Sequence, residues 1–153
     1  MPSSRRVFLK HSGILMLGTL LSGKSVDANT DRLAEYFAAE DYSKIFAKVI
    51  GNLAVSDTDN IKLILPDIAE DGSVVPVSIT SELDGIETIF LFADKNPTPL
   101  LAEFQLSPVL LAQITGRVKL AASCNVILLA RRNGEWLRTA RWVNVMRGGC
   151  GTG

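Results

Sequence analysis

The pair Asn133-Gly134 constrains the fold of this chain more than any other feature of its sequence. A two-residue type I′ turn needs positive φ at both positions, which asparagine and glycine tolerate, and its twist matches that of paired strands. On either side run Asn125–Arg131 and Glu135–Met146, both long enough for strands. In the second run Trp136, Arg138, Ala140, Trp142, Asn144 and Met146 fall on one face. Leu137, Thr139, Arg141, Val143 and Val145 fall on the other, as a period of two requires. A β-hairpin is therefore expected here.

The preceding residues repeat the strand signal. Ile61-Lys62-Leu63-Ile64-Leu65 ends at Pro66, and Ala69-Glu70-Asp71-Gly72 has turn chemistry. Val75, Val77 and Ile79 alternate with Pro76, Ser78 and Thr80, and Pro76 favours an edge strand because it donates no ladder bond. Ile86–Ala93 is mostly apolar, as in a buried strand. Asp94–Pro99 holds two prolines and is expected as a loop. Leu100, Ala102, Phe104 and Leu106 alternate again, as do Val118, Leu120 and Ala122. Before all of these, from Asn29 to about Ile50, the period is helical. Leu33, Tyr36, Phe37, Ile45, Phe46, Val49 and Ile50 recur at spacings of three, four and seven. Asn29, Thr30 or Asp31 is the candidate N-cap and Gly51 the stop. One helix followed by about seven short strands predicts a mainly β protein, an immunoglobulin-like β-sandwich over residues 29–146.

The ends of the chain are of another kind. Residues 1–28 begin with Arg5-Arg6-Val7-Phe8-Leu9-Lys10 and continue with an apolar stretch from Ile14 to Leu21. That stretch is well below the ~20 residues needed to span a bilayer. A basic start, a short apolar middle and Val26-Asp27-Ala28 as a cleavage site are the grammar of an export signal. The paired arginines point to the twin-arginine route, which carries folded cargo into the periplasm. Removing the leader takes away four of sixteen basic side chains and one of sixteen acids. Twelve bases then face fifteen acids, a net charge near −3. No basic cluster with interleaved aromatics remains, so nucleic acid is not expected as a partner.

The single histidine, His11, goes with the leader. That removes the usual general base, the usual zinc ligand and the usual activator of a nucleophile. Two cysteines remain, Cys124 and Cys150. One structural disulfide is the plain reading for an exported chain. A thiol so near the C-terminus is an awkward staple, and two thiols without histidine make a poor metal site. Cys124 beside a predicted strand reads as a buried apolar residue.

Cys150 lies in Arg147-Gly148-Gly149-Cys150-Gly151-Thr152-Gly153. Four glycines in six positions predict a flexible arm, residues 147–153, that offers one reachable sulfur. With only Arg147 nearby, the thiol is expected near the reference ~8.5, nucleophilic but dependent on other proteins for its chemistry. That is the behaviour of a group carrier rather than an enzyme.

These residues together resemble the SoxY family, the sulfur-carrying subunits of thiosulfate-oxidising multienzyme systems. The resemblance rests on the leader, on Ile68-Ala69-Glu70-Asp71-Gly72 with Val75-Pro76-Val77, on Asp94-Lys95-Asn96-Pro97-Thr98-Pro99-Leu100, and on Gly148-Gly149-Cys150-Gly151. It implies an immunoglobulin-like sandwich with covalent sulfur attachment at Cys150, no other cofactor and no metal. Gly148, Gly149, Gly151, Thr152 and Gly153 form the swinging arm. It further implies a heterodimer with a SoxZ-like subunit that lacks a leader. A SoxAX-type c-type cytochrome, a SoxB-type sulfate thiohydrolase and, where present, a sulfane dehydrogenase would act on the arm, passing through a cysteine persulfide. The family tail usually ends Gly-Gly-Cys-Gly-Gly, whereas Thr152 here adds a stiffer, β-branched residue. Its expected effect is on which enzymes accept the arm. The competing reading is a binding or adhesion sandwich with an incidental tail, since such folds serve many roles. For a partner surface, the edge near Pro76 and the Trp136/Trp142 face are the candidates.

Overall fold

The computed structural model describes residues 28–107 and 109–146. Residues 1–27 of the expected leader and the expected arm, with Cys150 and its glycines, lie outside the described residues, while Ala28, the leader's expected last residue, opens the first helix. Two helices, α1 (Ala28–Tyr36) and α2 (Tyr42–Ile50), precede nine strands. These are β1 (Val55–Asp57), β2 (Ile61–Ile64), β3 (Ile68–Ala69), β4 (Val75–Ser81) and β5 (Ile86–Ala93). β6 (Leu100–Gln105), β7 (Gln113–Val118), β8 (Cys124–Arg132) and β9 (Glu135–Val145) complete the set. The large sheet runs β1-β9-β8-β5-β6, with β3 also on β9, and the small sheet runs β2-β4-β7. The mainly β sandwich is as expected.

The predicted hairpin forms around Asn133 and Gly134, at φ 52° and 80°. β8 and β9 pair antiparallel from Arg132↔Glu135 through to Cys124↔Val143. The apolar runs of β5 and β8 have a simple cause, because both faces of the large sheet are covered. Ile89, Leu91 and Ala93 of β5, with Val126, Leu128 and Ala130 of β8, meet Val75, Val77 and Ile79 of the small sheet. Their neighbours Phe90, Phe92, Ile127 and Leu129 face the other way, towards the helices. Phe92 stands edge-on to Tyr42 at 5.8 Å, and Phe90 edge-on to Trp136 at 5.7 Å. Such aromatic geometries add to the area that the rings bury.

The single helix expected over 29–50 is broken. Asp41, extended at φ −60° and ψ 138°, takes the N-cap position of α2, a place that aspartate prefers to a helix interior. Lys48 spans the break, with Glu35 at 3.1 Å and Glu40 at 2.9 Å. The turn lets Tyr36 and α2's Tyr42, Ile45, Phe46 and Val49 share one apolar patch. Phe37, assigned to the buried stripe, instead falls in the turn and is exposed. The proposed N-caps Asn29, Thr30 and Asp31 are inside α1. Gly51 ends α2 as expected, at φ 57° with its N–H on the Ala47 carbonyl. Arg32 ties α1 to the sheet through Glu103, donating to both carboxylate oxygens.

Pro76 is not on an edge strand, because β4 is central in its sheet. β2 pairs only with Ser78–Ser81, however, while β7 covers Val75–Thr80. Opposite Pro76 there is a strand on one side alone, so its missing donor leaves no ladder bond unmade. The alternating set Val118, Leu120, Ala122 is not a strand either: β7 stops at Val118, and Leu120 is buried in a loop. Among the described residues no helix is long and apolar enough to cross a membrane.

Candidate functional site

The described chain ends at Met146, just past β9 and just before the expected arm, and that end is held from three sides. β3 pairs parallel with it, Ile68↔Asn144 and Ala69↔Val145. The N–H groups of Asn144 and Met146 donate to the carbonyls of Asp67 and Ala69, both at 2.9 Å. Across the strand the Val145 N–H donates to Ser123 Oγ at 2.9 Å, and that hydroxyl donates back to the Val145 carbonyl at 3.4 Å. Backbone pairing on one side and a hydroxyl on the other fix the direction in which the chain leaves Met146.

The third hold comes from Gly72. Its carbonyl accepts the Leu120 N–H at 2.7 Å. A Cβ at position 72 would overlap the Leu120 carbonyl oxygen and stand 2.7 Å from Val145 Cγ1. Close backbone approach therefore requires glycine. Asp71 shapes the same turn by accepting the Ser73 N–H at 2.8 Å, and bonding from Ser73 holds its carboxyl below the usual range. Gly72→Ala is expected to cost about 1–3 kcal/mol through overpacking. Chemical denaturation measures that loss, and hydrogen exchange is expected to show faster exchange at Val145 and Met146 than in the parent.

The Asp94–Pro99 loop braces the connection from β7 to β8. Asn96 Nδ2 donates to the Lys119 carbonyl at 2.7 Å, and Asn96 Oδ1 accepts the Ala121 N–H at 2.8 Å. Asp94 accepts from the Asn125 backbone N–H at 2.9 Å and from its side-chain amide at 3.0 Å. Two of the sequence segments that carry the resemblance, 68–72 and 94–100, thus converge on residues 119–125. That connector in turn holds the root of the arm through Ser123. A depression of about 520 Å³ lies at the root, bounded by Ser73, Lys119, Ala121, Ser123 and Met146.

Cys124 belongs to the core. It is 0 % exposed, and burial pushes its thiol up to about 11, with the Asp94 carboxylate adding to the shift. So little thiolate at neutral pH makes it inert, as expected for a structural cysteine. Trp136 is also buried and donates Nε1–H to the Ile50 carbonyl at 3.3 Å, so it is no partner surface. Trp142, on the same strand face, is 49 % exposed. The helices reach over one end of that face and not the other. Ser123 and Lys119 were not singled out by sequence reasoning, and Asn96 entered only as part of the loop that carries the resemblance. Asn96, between a lysine and a proline in a loop, carried the one readable signal, since asparagine side chains often bond backbone there. Among the described residues no group of three or more potential metal ligands occurs.

A family of sulfur oxidation proteins, SoxY, matches residues 46–150 of this chain. Among solved structures, the sulfur carrier protein SoxY from Chlorobium limicola f. thiosulfatophilum superposes with a TM-score of 0.63 at 27% identity. The match covers 69% of this chain and 96% of that one. A superoxide reductase (neelaredoxin) from Ignicoccus hospitalis gives a TM-score of 0.48 at 14% identity, over 58% of this chain and 82% of that one, and carries no functional argument. No curated protein sequence matches significantly. With the family match spanning more than half of the sequence, and the sandwich shared with a SoxY structure, this chain belongs to the SoxY family.

Proposed function

We propose that this chain is a periplasmic carrier that holds sulfur intermediates covalently on Cys150 during thiosulfate oxidation. One observation carries the reading: the family match runs as far as residue 150, the position of the thiol. Burial of Cys124 supports it, because it leaves Cys150 as the thiol able to react. The firm anchorage of β9 supports it too, since a carrier arm works from a fixed root.

The chemistry follows from a thiol that others must activate. The Cys150 thiolate and thiosulfate join through a new S–S bond, giving Cys150-S-S-SO₃⁻, and two electrons pass to a SoxAX-type c-type cytochrome. A SoxB-type hydrolase then adds water across the terminal S–S bond. Sulfate and a proton leave, and a persulfide remains on Cys150. A sulfane dehydrogenase then takes six electrons from that outer sulfur and passes them to an electron-transfer protein, while three waters supply its oxygens, and the Cys150-S-SO₃⁻ so formed undergoes a further hydrolysis. The chain is in this reading a substrate for each enzyme and catalyses none of the steps. Four residue steps from Met146 to Cys150 reach ~13–14 Å at full extension, and flanking glycines let the sulfur enter a narrow channel. Tethering also raises the effective concentration of the load at each enzyme. A SoxZ-like subunit is the heterodimer partner, exported with this chain as folded cargo.

Deleting residues 147–153 tests the reading against an adhesion role. Sulfate release in a reconstituted thiosulfate-oxidising system is expected to fall to background, with the circular dichroism spectrum unchanged. Undiminished sulfate release would overturn the proposal.

A further inference from the structure

We propose that the loaded arm docks its anionic sulfur group against Lys119 and Arg117, in the groove between the Asn96 loop and the end of β7. The proposal rests on the carrier reading and adds a resting place for the load on this chain itself. The groove, of about 470 Å³, is lined by Asn96, Pro97, Leu101, Arg117 and Lys119 among others. Lys119 and Ala121 also border the depression at the arm's root, so the two hollows adjoin at these residues.

Charge distinguishes these hollows from three other depressions. Neither lining contains a carboxylate. Three other depressions each contain at least one: Asp59 and Glu82 in the first, Glu40, Asp41 and Asp94 in the second, Glu103 in the third. In a chain whose expected mature charge is near −3, carboxylate-free hollows beside the arm are set apart from their surroundings. Among the described residues, Arg117 and Lys119 share with Lys44, Lys62 and Lys95 the lack of an ion pair with a carboxylate. Lys62, however, lines the hollow that holds Asp59 and Glu82, and Lys44 and Lys95 the one that holds Glu40, Asp41 and Asp94, whereas the hollows of Arg117 and Lys119 hold none. Both are exposed and β7 is an edge strand, so their charged ends are accessible to a ligand. A terminal sulfonate offers three acceptor oxygens to such donors, and charge-assisted bonds are the stronger kind. Met146 lines the root depression, Arg117 is two residues from Lys119, and the arm spans ~13–14 Å to Cys150.

Docking of this sort shields the load between enzymes, and the shielding can be read as a rate. Tetrathionate loads the thiol without an enzyme: the Cys150 thiolate attacks one central sulfur, a new S–S bond forms, and thiosulfate leaves. Peptide mass mapping establishes that the group is on Cys150. Backbone amides of Arg117, Lys119 and Ala121 are expected to shift on loading, and release of the group by dithiothreitol is then timed. In the double variant Arg117→Gln/Lys119→Gln, release is expected to quicken roughly threefold to tenfold, in keeping with two exposed ionic contacts. Lys62→Gln, on β2, is expected to leave it unchanged. The direction is diagnostic. Removing cations would by general electrostatics slow attack by an anionic thiolate, so only lost shielding speeds it. A Cys150 adduct with unmoved groove amides and equal or slower release in the double variant overturns the docking and leaves the carrier reading standing. Failure of Cys150 to accept the group overturns both.

Discussion

Cys150→Ser is expected to abolish every sulfur adduct on the chain and to reduce sulfate release in the reconstituted system to background. A serine hydroxyl has no appreciable alkoxide at neutral pH, and the single histidine that could activate it, His11, lies in the expected leader. Cys124 cannot take over. It is fully buried at the start of β8, packed among core residues that include Val126 and Val143, with its thiol pushed up to about 11. Native Cys150→Ser protein is therefore expected to consume no thiol reagent until it is unfolded, when one thiol appears. Because the substitution replaces one small side chain by another in a glycine-rich stretch expected to bury nothing, stability should stay within about 0.5 kcal/mol of the parent. Intact mass after incubation with thiosulfate and the oxidising partners reads the adduct, and thermal melting reads the fold. An adduct that persists in the variant would mean that another residue carries the sulfur.

The second large effect separates two tryptophans that the sequence puts on one face of one strand. Trp136→Ala is expected to cost about 3–5 kcal/mol, the usual range for removing a buried aromatic. Trp136 is 3 % exposed, meets Phe90 at 5.7 Å, and bonds the carbonyl that ends α2. Its loss opens the seam between the helices and the large sheet, and a Tm fall of roughly 10–20 °C should follow. Trp142→Ala removes a ring that is half exposed and bonds only Asn144 within its own strand, so about 0.5 kcal/mol or less is expected. Melting curves of the two variants side by side decide the matter. Equal losses would show that the helices do not cap Trp136 as described.

These two residues also mark how far the sequence can be read. Period-two alternation put Trp136 and Trp142 on one face correctly, and Asn133-Gly134 set the register of β8 on β9. Alternation says nothing about which part of a face a helix will cover, so it could not tell the buried tryptophan from the exposed one. The short parallel strands β1 and β3 were illegible for a different reason. Three and two residues are too few for a period, and both exist only because β9 offers them an edge. β7 was placed too late because Gly116 and Arg117 interrupt its apolar pattern, while Leu120 beyond it is buried as a loop residue. The break in the N-terminal helix was visible only as Asp41, one polar residue in a pattern that otherwise continued.

At the site, the thiol and its glycines are an expectation from the sequence, and they lie outside the described residues. The grip on the arm's root could not be read from the sequence. Ser123 holds Val145 from twenty-two residues away, and Gly72 meets Leu120 across the sandwich. Neither relation leaves a periodic trace in the chain.

The central claim is that sulfur is carried on Cys150, and peptide mapping tests it most directly. After incubation with thiosulfate and the oxidising partners, tryptic cleavage behind Arg147 should release the peptide Gly148–Gly153 carrying the mass of an added thiosulfonate group. The peptide containing Cys124 should be unmodified. An adduct on Cys124, or no adduct on either cysteine while thiosulfate is being oxidised, would contradict the account.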